Sequence, residues 1–220
     1  MNRRDFTARA AGTGLALGFG LVGLVGQAAH AQGGPLVEGK DYVKLQTAAP
    51  VASGGKVDVV EFFWYGCPHC NAFEPSLDAW AKKLPADVNF RRVPVSFSAM
   101  HETHAKIFYA LESLGQVEAL HRKVFAALHV QRKRLDKEAD IVEFMTQNGV
   151  DAAKFTEAYK SFGVATKVRQ GKALSEAYKI DGVPAIGVAG RWFTAPSLAG
   201  SPERALAVSD ALIQMARKPA

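Results

Sequence analysis

The stretch Val57-Asp58-Val59-Val60-Glu61-Phe62-Phe63-Trp64-Tyr65-Gly66-Cys67-Pro68-His69-Cys70 decides the fold of this chain. Its first nine residues are almost continuously apolar and rich in β-branched and aromatic side chains. That is the pattern of a strand buried on both faces of a sheet. Gly66 breaks the run, and Cys67-Pro68-His69-Cys70 opens a helix whose apolar face continues through Phe73, Leu77, Trp80 and Leu84. Pro75 inside that helix lacks a backbone donor and is expected to kink it.

Two thiols separated by two residues at a helix start can close a small disulfide ring across its first turn. The first sulfur then sits where unpaired N–H groups and the positive end of the helix dipole favour a thiolate. His69 adds a donor, and as an imidazolium it stabilises the thiolate further. Cys67 therefore reads as an exposed nucleophile of low pKa and Cys70 as the buried resolving thiol, with Pro68 and His69 completing the set. Exchange passes through a mixed disulfide on Cys67 that Cys70 attacks. Stabilising the Cys67 thiolate stabilises the reduced form, which makes the disulfide the stronger oxidant.

Two blander readings compete. The pair is half a zinc site if His69 and one of His101, His104, His121 or His129 complete it. No second cysteine pair or closely spaced histidine pair follows, so no metal is expected. An inert structural disulfide is the other, and the position at a helix start argues against it. The remaining histidines and the run Arg132-Lys133-Arg134 read as solvated helix surface.

Outward from this motif, Tyr42–Leu45 reads as a short strand and Val88–Val95 as the strand after the first helix. From Met100 to about Lys179 apolar residues recur at helical spacing, as in Ile107, Phe108, Leu111 and Leu114. Further helices are expected around Val117–Leu128, Glu138–Asn148, Asp151–Ser161 and Val164–Tyr178, broken at Gly115, Gly149 and Gly163. Strands resume at Ala185–Ala189 and Arg191–Thr194 around Gly190. Ser201-Pro202-Glu203 then starts the last helix with a cap and a first-turn proline. The order is β, β-α-β, a helical block, then β-β-α: an α/β fold with an inserted helical domain.

The chain has 220 residues, 48% hydrophobic and 22% charged, which excludes a disordered or low-complexity protein. Two cysteines exclude a disulfide-stapled scaffold and a four-thiolate metal site. At the N-terminus Arg3, Arg4 and Arg9 precede a glycine-diluted apolar stretch and then Ala29-His30-Ala31, a small-x-small cleavage pattern. Residues 1–31 are thus expected to be an export signal, and Arg3-Arg4-Asp5-Phe6 suits the twin-arginine route. A membrane anchor is disfavoured, because such a helix wants about 20 strongly apolar residues. Of the formal charge of +6, two units come from the signal, and the mild excess left implies no nucleic-acid partner. Export places the chain in the periplasm, where a cysteine pair can be a disulfide.

At Glu61-Phe62-Phe63, Cys67-Pro68-His69-Cys70, Phe73-Glu74 and Gly182-Val183-Pro184-Ala185 the sequence resembles the thiol:disulfide interchange protein DsbA family, of thioredoxin fold. The resemblance covers essentially the whole chain after the signal. It implies a thioredoxin-like fold with an inserted helical domain, built from residues 32–98 and 180–220 around the insertion 99–179. Val183-Pro184 resembles the family's cis-proline loop, which packs beside the active disulfide and pairs with an extended client peptide. Glu61 matches the family's buried acid beneath the cysteine pair. Burial should raise its pKa and let it move protons to or from Cys70, with Arg92 as its basic neighbour on the next strand. A strand-edge glutamate reaching solvent is the alternative.

Two departures stand out. The family commonly has lysine where this chain has Arg92, which stays charged and so puts a lysine-dependent proton step in doubt. Asp181 stands where enterobacterial relatives carry a basic residue, and its charge should slightly oppose the Cys67 thiolate. Phe97, Met100 and Phe193 with Trp64 and Tyr65 either form an apolar surface around the site or belong to the core.

The implied activity is a dithiol–disulfide oxidase, monomeric, that passes its Cys67–Cys70 disulfide to newly exported proteins. A quinone-linked membrane partner of the DsbB type would reoxidise it, and no bound cofactor is needed. The rivals are a reductase or isomerase on the same fold and a non-catalytic peptide-binding module.

Overall fold

The computed structural model describes residues 35–52 and 54–218, so the expected signal over residues 1–31 lies outside them. The apolar run forms β2 (Val57–Phe63). It pairs in parallel with β3 (Val88–Pro94) on one side and antiparallel with β4 (Ala185–Val188) on the other. β5 (Trp192–Thr194) and the short β1 (Val43–Lys44) complete a sheet of order β1-β5-β4-β2-β3. A parallel pair needs a crossover, and α1 (Pro68–Ala81) supplies it between β2 and β3. β4 and β5 are joined by Ala189-Gly190, both at positive φ, the tight primed turn whose twist suits a hairpin. A side chain at Gly190 would meet the carbonyl oxygen of Ala49 at 2.3 Å, so the backbone of the preceding segment closes over that turn.

Both faces of β2 are covered, which is why its sequence is apolar without alternation. Val60 and Phe62 pack with Leu174 and Tyr178, at the end of α6 (Phe162–Ala177). Val59 faces the other way, onto Phe73 and Leu77 of α1 and Val208 and Leu212 of α8 (Pro202–Arg217). Each of these fully buried side chains contributes about 1.5–3 kcal/mol relative to exposure. Ser201 caps α8, its Oγ accepting from the Arg204 N–H at 3.1 Å, and Pro202 occupies the first helical turn as expected.

Between β3 and β4 lie α2 (Ala99–Ser113), α3 (Val117–His129), α4 (Glu138–Gln147), α5 (Ala152–Lys160) and α6. Their core gathers Ile107, Phe108, Leu111, Leu120, Val124 and Phe125, and it extends to Phe63, Tyr65, Cys67 and Cys70. The cysteine pair is thus continuous with the core of the helical block.

Some local expectations are corrected. α1 ends at Ala81, so Leu84 lies beyond it rather than on its apolar face. Gly163 does not break the chain: it lies in the first turn of α6, which Ser161 caps by accepting from the Val164 N–H. A short helix, α7 (Pro196–Ala199), follows β5 where none was expected. Among the described residues no helix is long and apolar enough to cross a membrane.

Candidate active site

Cys67 is the N-cap of α1, and Pro68 takes the first helical position, where a missing N–H costs nothing. The Cys67 Sγ accepts from the backbone N–H of Cys70 at 3.4 Å, and the Cys67 carbonyl accepts from the Asn71 N–H at 3.1 Å. The sulfur therefore faces the unpaired donors of the helix start. Both cysteines are free. From the far end of the chain, the carbonyl oxygen of Val183 comes within 3.4 Å of the Cys67 Sγ, and the Val183–Pro184 peptide bond is cis.

The two thiols differ as their surroundings dictate. Hydrogen bonding from the Cys70 thiol, with the backbone N–H groups of Cys70 and His69 and the charge of His69, lowers the Cys67 pKa to about 6 against the opposing effect of burial. Burial pushes the Cys70 thiol far above its ordinary range, and the nearby Cys67 and Glu61 charges add to this. The expectation of an exposed Cys67 is corrected: it is only 7% accessible, a member of the helical block's core with the Val183 carbonyl beside its sulfur. Pro68 is exposed, and the other accessible residue between the cysteines is His69. It lines a cavity of about 320 Å³ with Phe73, Val183, Pro184, Pro196 and Pro202.

Glu61 is 1% exposed, so the solvent-reaching alternative is overturned. It stands opposite Arg92 in the β2–β3 register, with its Oε2 3.0 Å from Arg92 Nε. Burial first and the Glu74 charge second raise its pKa to about 8, against the pull of Arg92. The guanidinium does more than accompany Glu61, because Arg92 Nη2 also donates to Glu74 Oε1 at 2.8 Å. A planar fork with several donors can hold two carboxylates at once.

Sequence reasoning missed Glu74 as a site residue and placed the histidines on the surface. Glu74 is 3% exposed and His121 is 3% exposed, with His121 Nε2 3.4 Å from Glu74 Oε2. On its other side His121 Nδ1 and the Tyr65 hydroxyl share a hydrogen bond of 2.8 Å. One turn pair further along α3, His129 Nε2 donates to the Tyr65 carbonyl at 2.8 Å. Two histidines of α3 therefore grip the residue that stands two positions before Cys67. His104 is 2% exposed, and burial lowers its pKa to about 4. His101 stacks on the Trp64 indole at 4.2 Å. A signal existed for His121: it lies on the helical stripe of Leu120, Val124 and Phe125, which face the core.

Of the candidate apolar surface, Tyr65 belongs to the core, whereas Phe97 is 48% exposed and Trp64, Met100 and Phe193 are partly so. Asp181 is exposed on the loop that carries Val183.

Residues 92–204 match the DSBA-like thioredoxin domain family. The thiol:disulfide interchange protein DsbA of Azotobacter vinelandii is 45% identical over 179 residues, covering 81% of this chain and 84% of that protein. Its counterpart in Pseudomonas aeruginosa is 40% identical over 200 residues, covering 91% and 94%. The chain belongs to the DsbA family. It is a thiol:disulfide oxidoreductase, and Cys67 and Cys70 are its only cysteines. The crystal structure of Pseudomonas aeruginosa DsbA superposes with a TM-score of 0.79 at 42% identity, covering 81% of this chain and 93% of that one. DsbA from Xylella fastidiosa gives a TM-score of 0.77 at 28% identity, covering 83% and 98%. The thioredoxin-like fold is thereby that of DsbA.

Proposed function

We propose that this DsbA-family protein is a periplasmic oxidase that donates its Cys67–Cys70 disulfide to exported, cysteine-containing proteins. The observation that carries the reading is the asymmetry of the pair, a thiol lowered to about 6 at the helix cap beside one that burial keeps protonated. A client thiolate attacks the Cys67 Sγ, the bond to Cys70 breaks, and the electron pair left on Cys70 takes a proton. A second client thiolate then attacks the client sulfur and releases Cys67 as a thiolate. Two client thiols become one disulfide, and two electrons stay on the protein.

Glu61 is the proton source for Cys70 in this scheme. It is buried, protonated at neutral pH by the shift to about 8, and close enough for its charge to act on Cys70. Pro68 and His69 shape and polarise the helix start. The backbone around Val183 and Pro184 pairs with the extended client while the cavity beside His69 takes its side chains. Residues 1–31 serve as the export signal, residues 32–98 and 180–220 form the redox domain, and 99–179 form the helical insertion. The protein acts as a monomer, and a DsbB-type quinone-linked membrane protein reoxidises it.

Equilibration with glutathione buffers tests this. The established potential of the DsbA family is about −120 mV, against about −270 mV for thioredoxin. A potential near the first supports a disulfide donor, and one near the second makes the protein a reductant. Cys67→Ser must abolish oxidation of a reduced client; retention of client protection in that variant would point to a peptide-binding module.

A further inference from the structure

Beneath the cysteine pair, two buried carboxylates share one guanidinium. Arg92 is within 3.0 Å of Glu61 and 2.8 Å of Glu74, and its Nη2 is 3.8 Å from Asp78 Oδ1 at the cluster's more open edge. Glu61 and Glu74 are 1% and 3% exposed, so a surplus negative charge there is not relieved by water. With one cation for two carboxylates, one carboxyl must hold a proton. Glu61 is the one less well bonded: neither of its oxygens has an aligned hydrogen bond among the described residues, whereas Glu74 Oε1 accepts from Arg92.

His121 is the remaining group that can change this balance. Its Nε2 and Glu74 Oε2 face each other at 3.4 Å, and neither has an aligned hydrogen bond among the described residues. Its Nδ1 is paired with the Tyr65 hydroxyl, which donates to a neutral imidazole and accepts from a protonated one. The ring can therefore gain a proton without losing a partner, and the gain would close the slack contact with Glu74. The charged and titratable groups facing it are Glu74 and Asp78 of α1, Arg92 of β3 and Tyr65. Its other walls are the rings of Phe63, Phe108 and Phe125.

We propose that His121 is a positioning residue that sets whether Glu61 keeps its proton: once protonated, it takes over Glu74 and leaves Arg92 to compensate Glu61. This rests on the reading of Glu61 as the proton source for Cys70. With His121 neutral, Glu61 holds its proton tightly. With His121 protonated, by a proton taken up from water, two cations face two carboxylates. Glu61 then passes its proton more easily to the Cys70 sulfur as the disulfide bond breaks. The protein thus becomes a faster oxidant as the pH falls through the His121 titration.

The test is the rate of reduction of the Cys67–Cys70 disulfide by dithiothreitol across pH, corrected for the reductant's own thiolate. In the wild type the corrected rate should rise several-fold, at most about tenfold, below the His121 midpoint, since an added charge at this range moves a pKa by about one unit. His121→Gln keeps a hydrogen-bonding group for Tyr65 and carries no titrating proton, so its profile should be flat there. If the acid rise survives in His121→Gln, it belongs to another group such as His69, and the proposal is overturned. Glu61→Gln separates the two levels. If it flattens the profile while His121→Gln does not, only the role of His121 fails. If it leaves the wild-type profile intact, the reading of Glu61 fails and takes this one with it. Should the His121 variant not fold, ring nitrogen NMR of the oxidised wild type decides: a His121 midpoint away from the kinetic inflection refutes the proposal.

Discussion

The Cys67 Sγ and the Val183 carbonyl oxygen lie 3.4 Å apart across 116 residues of sequence. One atom pair thereby joins the start of α1 to the loop before β4, and it sets the sulfur proposed as nucleophile beside the backbone proposed to pair with a client strand. Cys70, at 1% exposure, has no such access. Cys70→Ser should consequently leave a single-thiol client trapped on Cys67, because neither Cys70 nor a second client thiol is there to release it. Non-reducing electrophoresis and mass spectrometry should find that such a client displaces glutathione from a variant first converted to the glutathione mixed disulfide, and stays bound to Cys67. A variant that accumulates no such adduct would refute the assignment of Cys67 as the attacked sulfur.

The titration of Cys67 makes the potential depend on pH in a defined way. A thiol lowered to about 6 from its ordinary 9.0 stabilises the reduced form above pH 6, and that gain disappears as the pH falls through 6. At pH 7 it amounts to about 1.4 kcal/mol, or ~30 mV for a two-electron couple. Below pH 6 reduction takes up two protons, and above it one. The potential should fall by about 59 mV per pH unit on the acid side and by about 30 mV on the alkaline side. A single slope across pH 6 would contradict a thiolate at Cys67, and absorbance titration of the reduced protein gives the same midpoint independently.

Gly66 is required by its neighbour rather than by its own backbone. A Cβ there would lie 2.3 Å from the Trp64 indole, which folds back over the glycine and stacks on His101. Gly66→Ala should cost about 1–3 kcal/mol, since the ring has to leave its packed position. The loss is readable as a lower denaturation midpoint together with a change in Trp64 fluorescence. Wild-type stability in this variant would mean that the indole has room to move.

Tyr65→Phe removes the hydroxyl that pairs with His121 Nδ1 and leaves a buried nitrogen without a partner. An unsatisfied buried polar group costs about 1–3 kcal/mol, and denaturant unfolding should show a loss of that size. The bond from His129 to the Tyr65 carbonyl is untouched by this change. Folding should thus be retained, and a variant as stable as the wild type would show that the hydroxyl contributes nothing net.

The sheet and the helix carrying the cysteines were legible because their signals are local. An apolar run covered on both sides looks the same wherever it sits, and a glycine, a cap and a first-turn proline mark a helix start within four residues. The meeting of Cys67, Cys70 and Val183 was foreseen through the resemblance of Gly182-Val183-Pro184 to a known loop. The charge cluster was only half legible. Glu61 stood out as a carboxylate inside an apolar strand, and Arg92 followed from strand pairing. Glu74 and His121 did not stand out, since a polar residue on a helix reads as surface until the rotation of that helix against its neighbours is known. His104 escaped for the same reason, and α7 is too short to leave a periodic pattern.

The grip of His121 and His129 on Tyr65 has a consequence for how this molecule can be cut down. A shortened chain that joined β3 straight to β4 would keep every strand, the Cys-Pro-His-Cys turn and the Val183–Pro184 loop. It would lose both contacts that anchor Tyr65, and it would open Phe63, Tyr65 and both sulfurs to water. The helices between β3 and β4 therefore act as one wall of the reaction vessel, and a minimal version of this protein would need that wall rebuilt before its cysteines behaved as they do here.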